Sequence, residues 1–462
     1  MTYGSYDPKK NYLQAADTII RKRTKDVYED VEEIEKEIRG GLTVKDLSDD
    51  QKRVFDSAVA WFLNKPDPDG VEVDPFLLTI GGYAGTGKTT LTSVIANTLV
   101  NNKETRSKHY GGRIHIAFCA FTGKAASRLK QKLRLAGIHA NTGGHPHFGG
   151  TIHSLMYKPM LNELGEVMAW DRQDELPYDL IVVDEASMVD AAMLEDLKSY
   201  DIPIMAVGDH GQLFPVKGEG SLMVNPDLRL EKIHRQAEDS PIIRLAKEVR
   251  DNGNLPATWN DDESVSFITF NDFDKKLVEL FKQGVSPHNI AILTYTNKCR
   301  QNMNYLARCY RNEKDMPDTP VVGDLFMCLR NMKGVIFNGM RGELVNTPVP
   351  QKEHWYEGTF FFPDDELEAD GWILREQIGR EKTFSSWEEI SRATGATIQS
   401  WKNVGMLFDY GYSLTVHKAQ GSEFKHVFVI YEQPPYVLAE EYRRWLYTAV
   451  TRSSQHLYIV VG

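Results

Sequence analysis

Two short stretches carry residues whose types and spacing could do chemistry. Gly82-Tyr-Ala-Gly-Thr-Gly-Lys-Thr-Thr90 fits the pattern G-x-x-x-x-G-K-[ST], and Leu180-Ile-Val-Val-Asp-Glu185 is an apolar run ending in two acids. In the first, Gly82, Gly85 and Gly87 would let backbone N–H groups approach phosphates, and the N-terminus of a following helix adds a favourable dipole. Lys88 would reach the β- and γ-phosphates and Thr89 would give its hydroxyl to Mg²⁺, with Thr86 and Thr90 completing the nucleotide cradle. In the second, Asp184 would hold the Mg²⁺ shell, while Glu185 would orient and deprotonate an attacking water. Taken singly, the loop could be a chance Gly-rich turn and the acids an exposed pair. Four apolar residues upstream of Asp184, and the presence of both segments together, argue against this. The pattern implies hydrolysis of a nucleoside triphosphate.

Both segments need strands to position them. Phe76-Leu-Leu-Thr-Ile80 reads as a buried strand and Thr89–Val100 as the helix that follows the loop. Further strand-then-helix units follow: Ile114–Ala120 into Lys124–Leu135, Leu180–Asp184 into Ala191–Tyr200, and Pro203–Gly208 into a loop. A second set comprises Ser264–Phe270, Ile290–Thr294, a helix over Thr296–Tyr310, His426–Tyr431, a helix over Leu438–Thr451, and His456–Val461. This alternation predicts an α/β fold with parallel sheets and crossover helices. A phosphate loop in only the first set suggests a nucleotide held between the two. Before them, Val27, Val31, Ile34 and Ile38 predict an amphipathic helix over 26–39, and Ser48 or Asp49 could cap a helix running to about Leu63. Between 341 and 403 the pattern becomes irregular and aromatic, which predicts a β-rich insertion.

Composition bounds the rest. A chain of 462 residues is too long for one ordinary core, and 41% hydrophobic with 10% aromatic residues describes a folded globular protein. With no run of about eighteen apolar residues and no secretory h-region in MTYGSYDPKK, the expectation is a soluble cytoplasmic protein. Cys119, Cys299, Cys309 and Cys328 lack C-x-x-C spacing, so neither a disulfide framework nor a zinc site is indicated. The net charge of −11 argues against a surface coated by nucleic acid, but leaves room for a basic track in a cleft. His139, His145, His147 and His153 surround a Gly-rich stretch at 143–150. Without cysteines or matching carboxylate spacing, that stretch reads as a loop rather than a metal site.

Beyond the loop, an ordered series of segments over about residues 47 to 462 resembles the superfamily 1 helicases. The resemblance is to the RecD-like, 5′-to-3′ group that includes the phage Dda helicases. Gln51 resembles the glutamine that reads the adenine edge. Ala120-Phe-Thr-Gly-Lys-Ala-Ala126 looks like the first strand-contacting motif, with Thr122 and Lys124 toward a DNA phosphate and Phe121 replacing the usual proline. Thr151-Ile-His-Ser-Leu155 is similar to the next such motif, with Thr151 and His153. Gly208-Asp-His-Gly-Gln-Leu-Phe-Pro-Val216 resembles the coupling motif, with Gln212 as γ-phosphate sensor and Phe214 at the commoner proline. His234-Arg235-Gln236 matches the arginine motif. In Tyr412-Ser-Leu-Thr-Val-His-Lys-Ala-Gln-Gly-Ser-Glu423, the resemblance implies that Thr415 and His417 lie toward DNA. It likewise implies that Gln420, Gly421 and Glu423 lie toward nucleotide. Leu446-Tyr-Thr-Ala-Val-Thr-Arg452 supplies a second arginine.

The implied architecture has two RecA-like parallel-sheet motor domains, one over 41–155 and 178–235, the other over 236–340 and 404–462. A hairpin pin would occupy 156–177, an SH3-like β-rich insertion 341–403, and a charged helical extension 1–40. Cationic side chains stabilise charge spreading in phosphoryl transfer, which suits Arg235 and Arg452; either alone could be a surface ion pair. Lys124, His153, His417 and Lys418 suit phosphate contacts along a strand. Phe121, Phe148 and Phe214 could be stacking platforms or core residues. The implied activity is an ATP- and Mg²⁺-dependent DNA helicase moving 5′ to 3′ on single strands and acting on tailed duplexes, with replication or recombination proteins as possible partners. The alternatives are an RNA-directed or purely translocating ATPase, a nucleic-acid-independent switch, and a partner-dependent recombination subunit.

Overall fold

The computed structural model describes residues 20–22, 43–109, 112–140, 147–161, 167–215, 222–233, 240–256, 259, 264–312, 319–332, 336–351, 353–365, 367–432 and 437–461. The helix expected over 26–39 lies outside the described residues, as does Arg235. The chain divides into two bodies. The first described element, the short strand β1 (Ile20–Lys22), belongs with the second of them.

The body carrying the phosphate loop begins with α1 (Asp49–Phe62). Its N-cap is Ser48, whose hydroxyl accepts from the Gln51 N–H while the Gln51 side chain accepts from the Ser48 N–H. Two amides that a helix start leaves open are thereby satisfied. Strands β2 (Leu77–Gly82), β3 (Ile116–Ala120) and β4 (Phe148–Thr151) follow. Then come the pair β5 (Tyr157–Leu161) and β6 (Val167–Arg172), and after them β7 (Leu180–Asp184), β8 (Ile204–Gly208) and β9 (Leu228–Leu230). All but β5 and β6 form one sheet in the order β4-β3-β7-β8-β2-β9, and every pairing in it is parallel. Such strands are covered on both faces and so read as continuous apolar runs; β3 and β8 are buried at every residue. Helices α2 (Lys88–Asn101), α3 (Gly123–Leu135), α4 (Ile152–Met156), α5 (Ala191–Lys198) and α6 (Pro241–Asn252) lie along the chain between and after the strands. Because the strands are parallel, their C-terminal ends, Gly82, Ala120, Asp184 and Gly208, emerge on one edge, where α/β sheets bind ligands. Strands β5 and β6 pair antiparallel from Tyr157↔Arg172 to Leu161↔Val167, a strand pair within the 156–177 stretch where the resemblance implies a hairpin.

The second body holds another fully parallel sheet, in the order β10 (Val265–Thr269), β20 (Ser453–Val461), β19 (Phe424–Ile430), β11 (Ile290–Thr294) and β18 (Ser413–Thr415). It contains β10 (Val265–Thr269) and β11 (Ile290–Thr294), flanked by α7 (Phe270–Lys282) and α8 (Asn297–Arg311). An antiparallel sheet interrupts it: β12 (Leu325–Cys328), β13 (Arg341–Leu344), β14 (Val349–Gln351), β15 (Trp355–Phe362), β16 (Leu367–Leu374) and β17 (Phe408–Tyr410), with β1 on the β16 edge. After the short helix α9 (Trp387–Thr394), the chain returns through β18 (Ser413–Thr415), α10 (Val416–Ala419) and β19 (Phe424–Ile430). The aromatic region therefore takes in more chain than its irregular stretch at 341–403, since Leu325–Cys328 and Phe408–Tyr410 are among its strands.

Among the described residues, that region shares its core with the parallel sheet. Phe326, Phe360 and Phe408 belong to the same buried cluster as Ile290, Ile292 and Phe428 of the parallel sheet. Buried charges join the antiparallel region to α8 and to the start of β11. Arg300 Nη1 is 2.7 Å from Asp409 Oδ2, Arg308 Nε is 3.0 Å from Asp324 Oδ2, and the Arg341 guanidinium donates to the carbonyls of Pro287, His288, Ile290 and Gly411. Each would be costly to strip of its partner. The last helix, α11 (Ala439–Val450), groups with the phosphate-loop body, whereas the strand after it, β20 (Ser453–Val461), belongs to the second.

Candidate active site

The phosphate loop connects the end of β2 to the first turn of α2. Gly85 and Gly87 hold φ of +80° and +73°, a region that side chains other than glycine's rarely adopt. A Cβ at Gly82 would fall 2.6 Å from Thr86 Oγ1 and 3.1 Å from Lys88 Cγ, so the loop is shaped as a close-walled cradle. Lys88 Nζ donates to the carbonyls of Gly82 at 2.7 Å and Tyr83 at 3.0 Å and lies 3.9 Å from Asp209 Oδ2. Thr89 and Thr90 stand in the first turn of α2, whose N-cap is Gly87. Thr86 is buried and uses its hydroxyl on the Tyr83 carbonyl, so it shapes the loop from within. Gln51 is also buried. Its Nε2 donates to the carbonyls of Thr86 at 3.2 Å and Gly87 at 3.3 Å, and its Oε1 is held by Ser48. With both ends of the amide engaged, Gln51 braces the loop in this conformation.

Asp184 closes β7, two strands from the loop, with β8 between them. Its Oδ1 accepts from the Glu185 N–H at 3.0 Å. Burial, and after it the adjacent Glu185 carboxylate, push the Asp184 carboxyl above its ordinary range. A nearby cation would restore its charge. Glu185 adopts φ +53° and ψ +40°, a strained left-handed conformation of the sort concentrated at functional sites. The Thr89 hydroxyl and the Asp184 carboxylate are both hard oxygen donors, a set that fits Mg²⁺. Among the described residues no cluster of three or more His, Cys, Asp or Glu side chains could hold a metal by itself; two protein ligands with nucleotide phosphates are the usual way this ion is held.

The coupling segment after β8 supplies the next group. Asp209 is fully buried; its Oδ1 accepts from the Gly211 N–H at 2.9 Å and its Oδ2 from the Gln212 amide at 3.3 Å. Tyr447 of α11 donates its buried hydroxyl to the same Asp209 Oδ2 at 2.9 Å and accepts from the Ala84 N–H of the phosphate loop at 2.9 Å. Burial and Asp209 raise the Tyr447 phenol well above its ordinary value, so it remains a donor. Around this link, Arg444 donates to the carbonyls of His210 and Gln212, and the Thr448 hydroxyl accepts from the Leu213 N–H. Arg250 covers the Tyr83 ring at 4.1 Å, while His210 lies against that ring at 4.0 Å and is pushed down to about 4 by burial. Sequence reading missed Asp209, Tyr447 and Arg444. Asp209 stands inside a quoted motif, but nothing in the pattern shows which partner it meets. The Arg444 guanidinium rests 3.8 Å from the Phe214 ring centre, so one face of that expected platform is taken.

In the second body, the Arg452 guanidinium is buried and donates to the Ser422 carbonyl at 3.1 Å, which brings it to the segment of Gln420, Gly421 and Glu423. Gly421 has φ +70°, and Glu423 is exposed. The residues expected to touch nucleic acid share a structural position. Thr122, Thr151 and Thr415 are N-caps of α3, α4 and α10 at C-terminal ends of parallel strands, and the first two spend their hydroxyls on Ala125 and Ser154 amides. Lys124 lies in the first turn of α3. His153 is exposed and stacks on Tyr157 at 4.5 Å, an aromatic platform that sequence reading missed. Phe121 and Phe148 pack on the first body's core. His417 and Lys418 are half-buried on α10; burial, then Arg300, lowers Lys418 to about 8, which weakens it as a fixed cation.

Comparison with known proteins bears directly on this arrangement. A family model described as an AAA domain matches residues 71–218, and one described as a UvrD-like helicase C-terminal domain matches residues 410–460. The chain is 25% identical to the ATP-dependent DNA helicase dda of Enterobacteria phage T4, over 91% of this chain and 100% of that one. It is 27% identical to the ATP-dependent RecD2 DNA helicase of Deinococcus radiodurans, over 83% of this chain and 46% of the relative. With the RecBCD enzyme subunit RecD of Haemophilus influenzae it shares 23% identity, over 83% of this chain and 66% of that one. It thus spans the phage relative fully, about half of RecD2 and about two thirds of RecD. In its motifs, their order and these relatives, the chain is similar to the RecD/Dda-like group of superfamily 1 helicases.

Proposed function

We propose that this protein is an ATP-driven DNA helicase that moves 5′ to 3′ along a single strand, uses Mg²⁺, and couples turnover to closure of its two motor bodies. The observation that carries the reading is the assembly of Lys88, Thr89, Asp184, Asp209 and Gln212 at the C-terminal edge of one parallel sheet, with the strained Glu185 beside them.

In this reading Lys88 leaves the Gly82 and Tyr83 carbonyls to neutralise the β- and γ-phosphates. Thr89 and Asp184 would hold Mg²⁺, which neutralises the same phosphate oxygens when bound. Glu185 takes the proton of a water as its oxygen bonds to the γ-phosphorus, and the bond from that phosphorus to the β–γ bridging oxygen breaks, leaving ADP. Gln212 senses the γ-phosphate, and Arg452, with Arg235 by resemblance, stabilises the developing charge. Thr122, Lys124, Thr151, His153, Thr415, His417 and Lys418 form the strand-contacting set, and the β5–β6 hairpin is the element that would part a duplex. Support for DNA comes from the helicase names of two relatives; polarity follows the group resemblance. No helix among the described residues is long and apolar enough to cross a membrane.

The test is steady-state ATP hydrolysis alone, with single-stranded DNA and with single-stranded RNA, followed by unwinding of duplexes tailed at either end. Strong DNA stimulation with unwinding of 5′-tailed duplex only is the expected result. Turnover indifferent to both polymers would replace the helicase reading with that of an ATP-driven switch.

A further inference from the structure

Lys132 lies on α3, which nothing in the loop or acid motifs draws upon. Its ammonium reaches Thr89 Oγ1 at 3.2 Å, the hydroxyl that stands next to Lys88 in the first turn of α2. Lys132 is an exposed residue, so its long side chain can swing away without disturbing the core. A hydroxyl that accepts from an ammonium and also ligates a divalent cation would hold two positive charges within a few ångströms of each other. Those charges repel, so the two arrangements exclude each other. We propose that Lys132 competes with the divalent cation for the Thr89 hydroxyl, and thereby sets how much metal the site needs to take up nucleotide. The inference rests on the nucleotide reading above. The lysine therefore holds the Thr89 hydroxyl until the arriving metal displaces it.

The experiment is Mn²⁺ binding to the full chain in saturating ADP, read from the electron paramagnetic resonance signal of free Mn²⁺, for the wild type, Lys132→Met and Lys132→Arg. Lys132→Met should bind Mn²⁺ about tenfold more tightly, the scale of one charge-assisted hydrogen bond released. Lys132→Arg should stay near the wild type, because the competing cation is retained. Unchanged affinity in Lys132→Met would overturn the competition. Weaker affinity would overturn it too, and would make Lys132 a ligand of the nucleotide instead. If the wild type takes up no Mn²⁺ with ADP, the nucleotide reading itself fails, an outcome distinct from a wild type that binds and a variant that does not differ. Matching thermal unfolding of all three proteins would exclude misfolding as the source of any change.

Discussion

Removing one oxygen, in Tyr447→Phe, tests whether α11 is bonded to the phosphate loop. The hydroxyl makes two bonds of 2.9 Å, one donated to Asp209 Oδ2 and one accepted from the Ala84 N–H. Phenylalanine preserves the ring and leaves both partners short of a bond. Ala84 is half-buried, so water can reach its amide in part, and the cost there is about 1 kcal/mol. Asp209 is fully buried and loses a bond to a charged acceptor, worth about 1.5–3 kcal/mol, although Lys88 at 3.9 Å can move closer and recover part of it. The net expectation is a loss of about 2–3 kcal/mol. For a body of this size that lowers the midpoint of thermal unfolding by about 4–12 °C. Because the phenol is raised well above its ordinary value, the loss should be constant from neutral to mildly alkaline pH. The assay is thermal unfolding together with hydrogen exchange of the peptide containing Ala84, with Tyr305→Phe, an exposed ring, as control. Unfolding within about 0.5 kcal/mol of the wild type, with Ala84 equally protected, would refute the bond and the role given to it.

Other substitutions probe the remaining assignments. Glu185→Gln should leave ADP binding intact and slow hydrolysis by on the order of a hundredfold or more; normal turnover would mean that another group positions the water. Arg452→Ala should lower DNA-stimulated turnover far more than affinity for single-stranded DNA, measured by fluorescence anisotropy, and the reverse pattern would move this arginine to the nucleic-acid track. Lys418 is lowered to about 8 by burial, so the unfolded chain keeps this proton to higher pH than the native one. Native stability should therefore rise as pH climbs from about 8 toward the ordinary lysine value. Lys418→Met should raise stability at pH 7 by about 2–3 kcal/mol, with the gain fading as pH rises through that window. A gain absent at pH 7, or independent of pH, in urea titrations at pH 7 and 10 would contradict the buried-charge account.

What could be read from the chain alone was local or repeated along it. The phosphate loop declares itself because closely spaced glycines, a lysine and a threonine must be contiguous to surround phosphates. Parallel strands declare themselves because burial on both faces leaves only apolar residues, and the observed β2, β7, β8 and β11 lie within a few residues of those expected. The Ser48 cap was legible for the same reason, since it is decided within a few residues.

Tertiary structure decided everything that depends on which distant groups meet. Tyr447 and Asp209, and Lys132 and Thr89, carry no mutual signal in the sequence; strand order and helix packing bring them together. The same is true of Gln51, whose capping of α1 was foreseeable but whose second bond to the loop carbonyls was not. The aromatic insertion shares one apolar cluster with the parallel sheet, and Arg300, Arg308 and Arg341 bury their charges beside it, a cost offset only by partners that folding delivers. A periodic pattern specifies an element and the face it buries. Which elements become neighbours is settled by the packing of all those faces at once, and in this protein that packing brought Tyr447 and Lys132 to the phosphate loop.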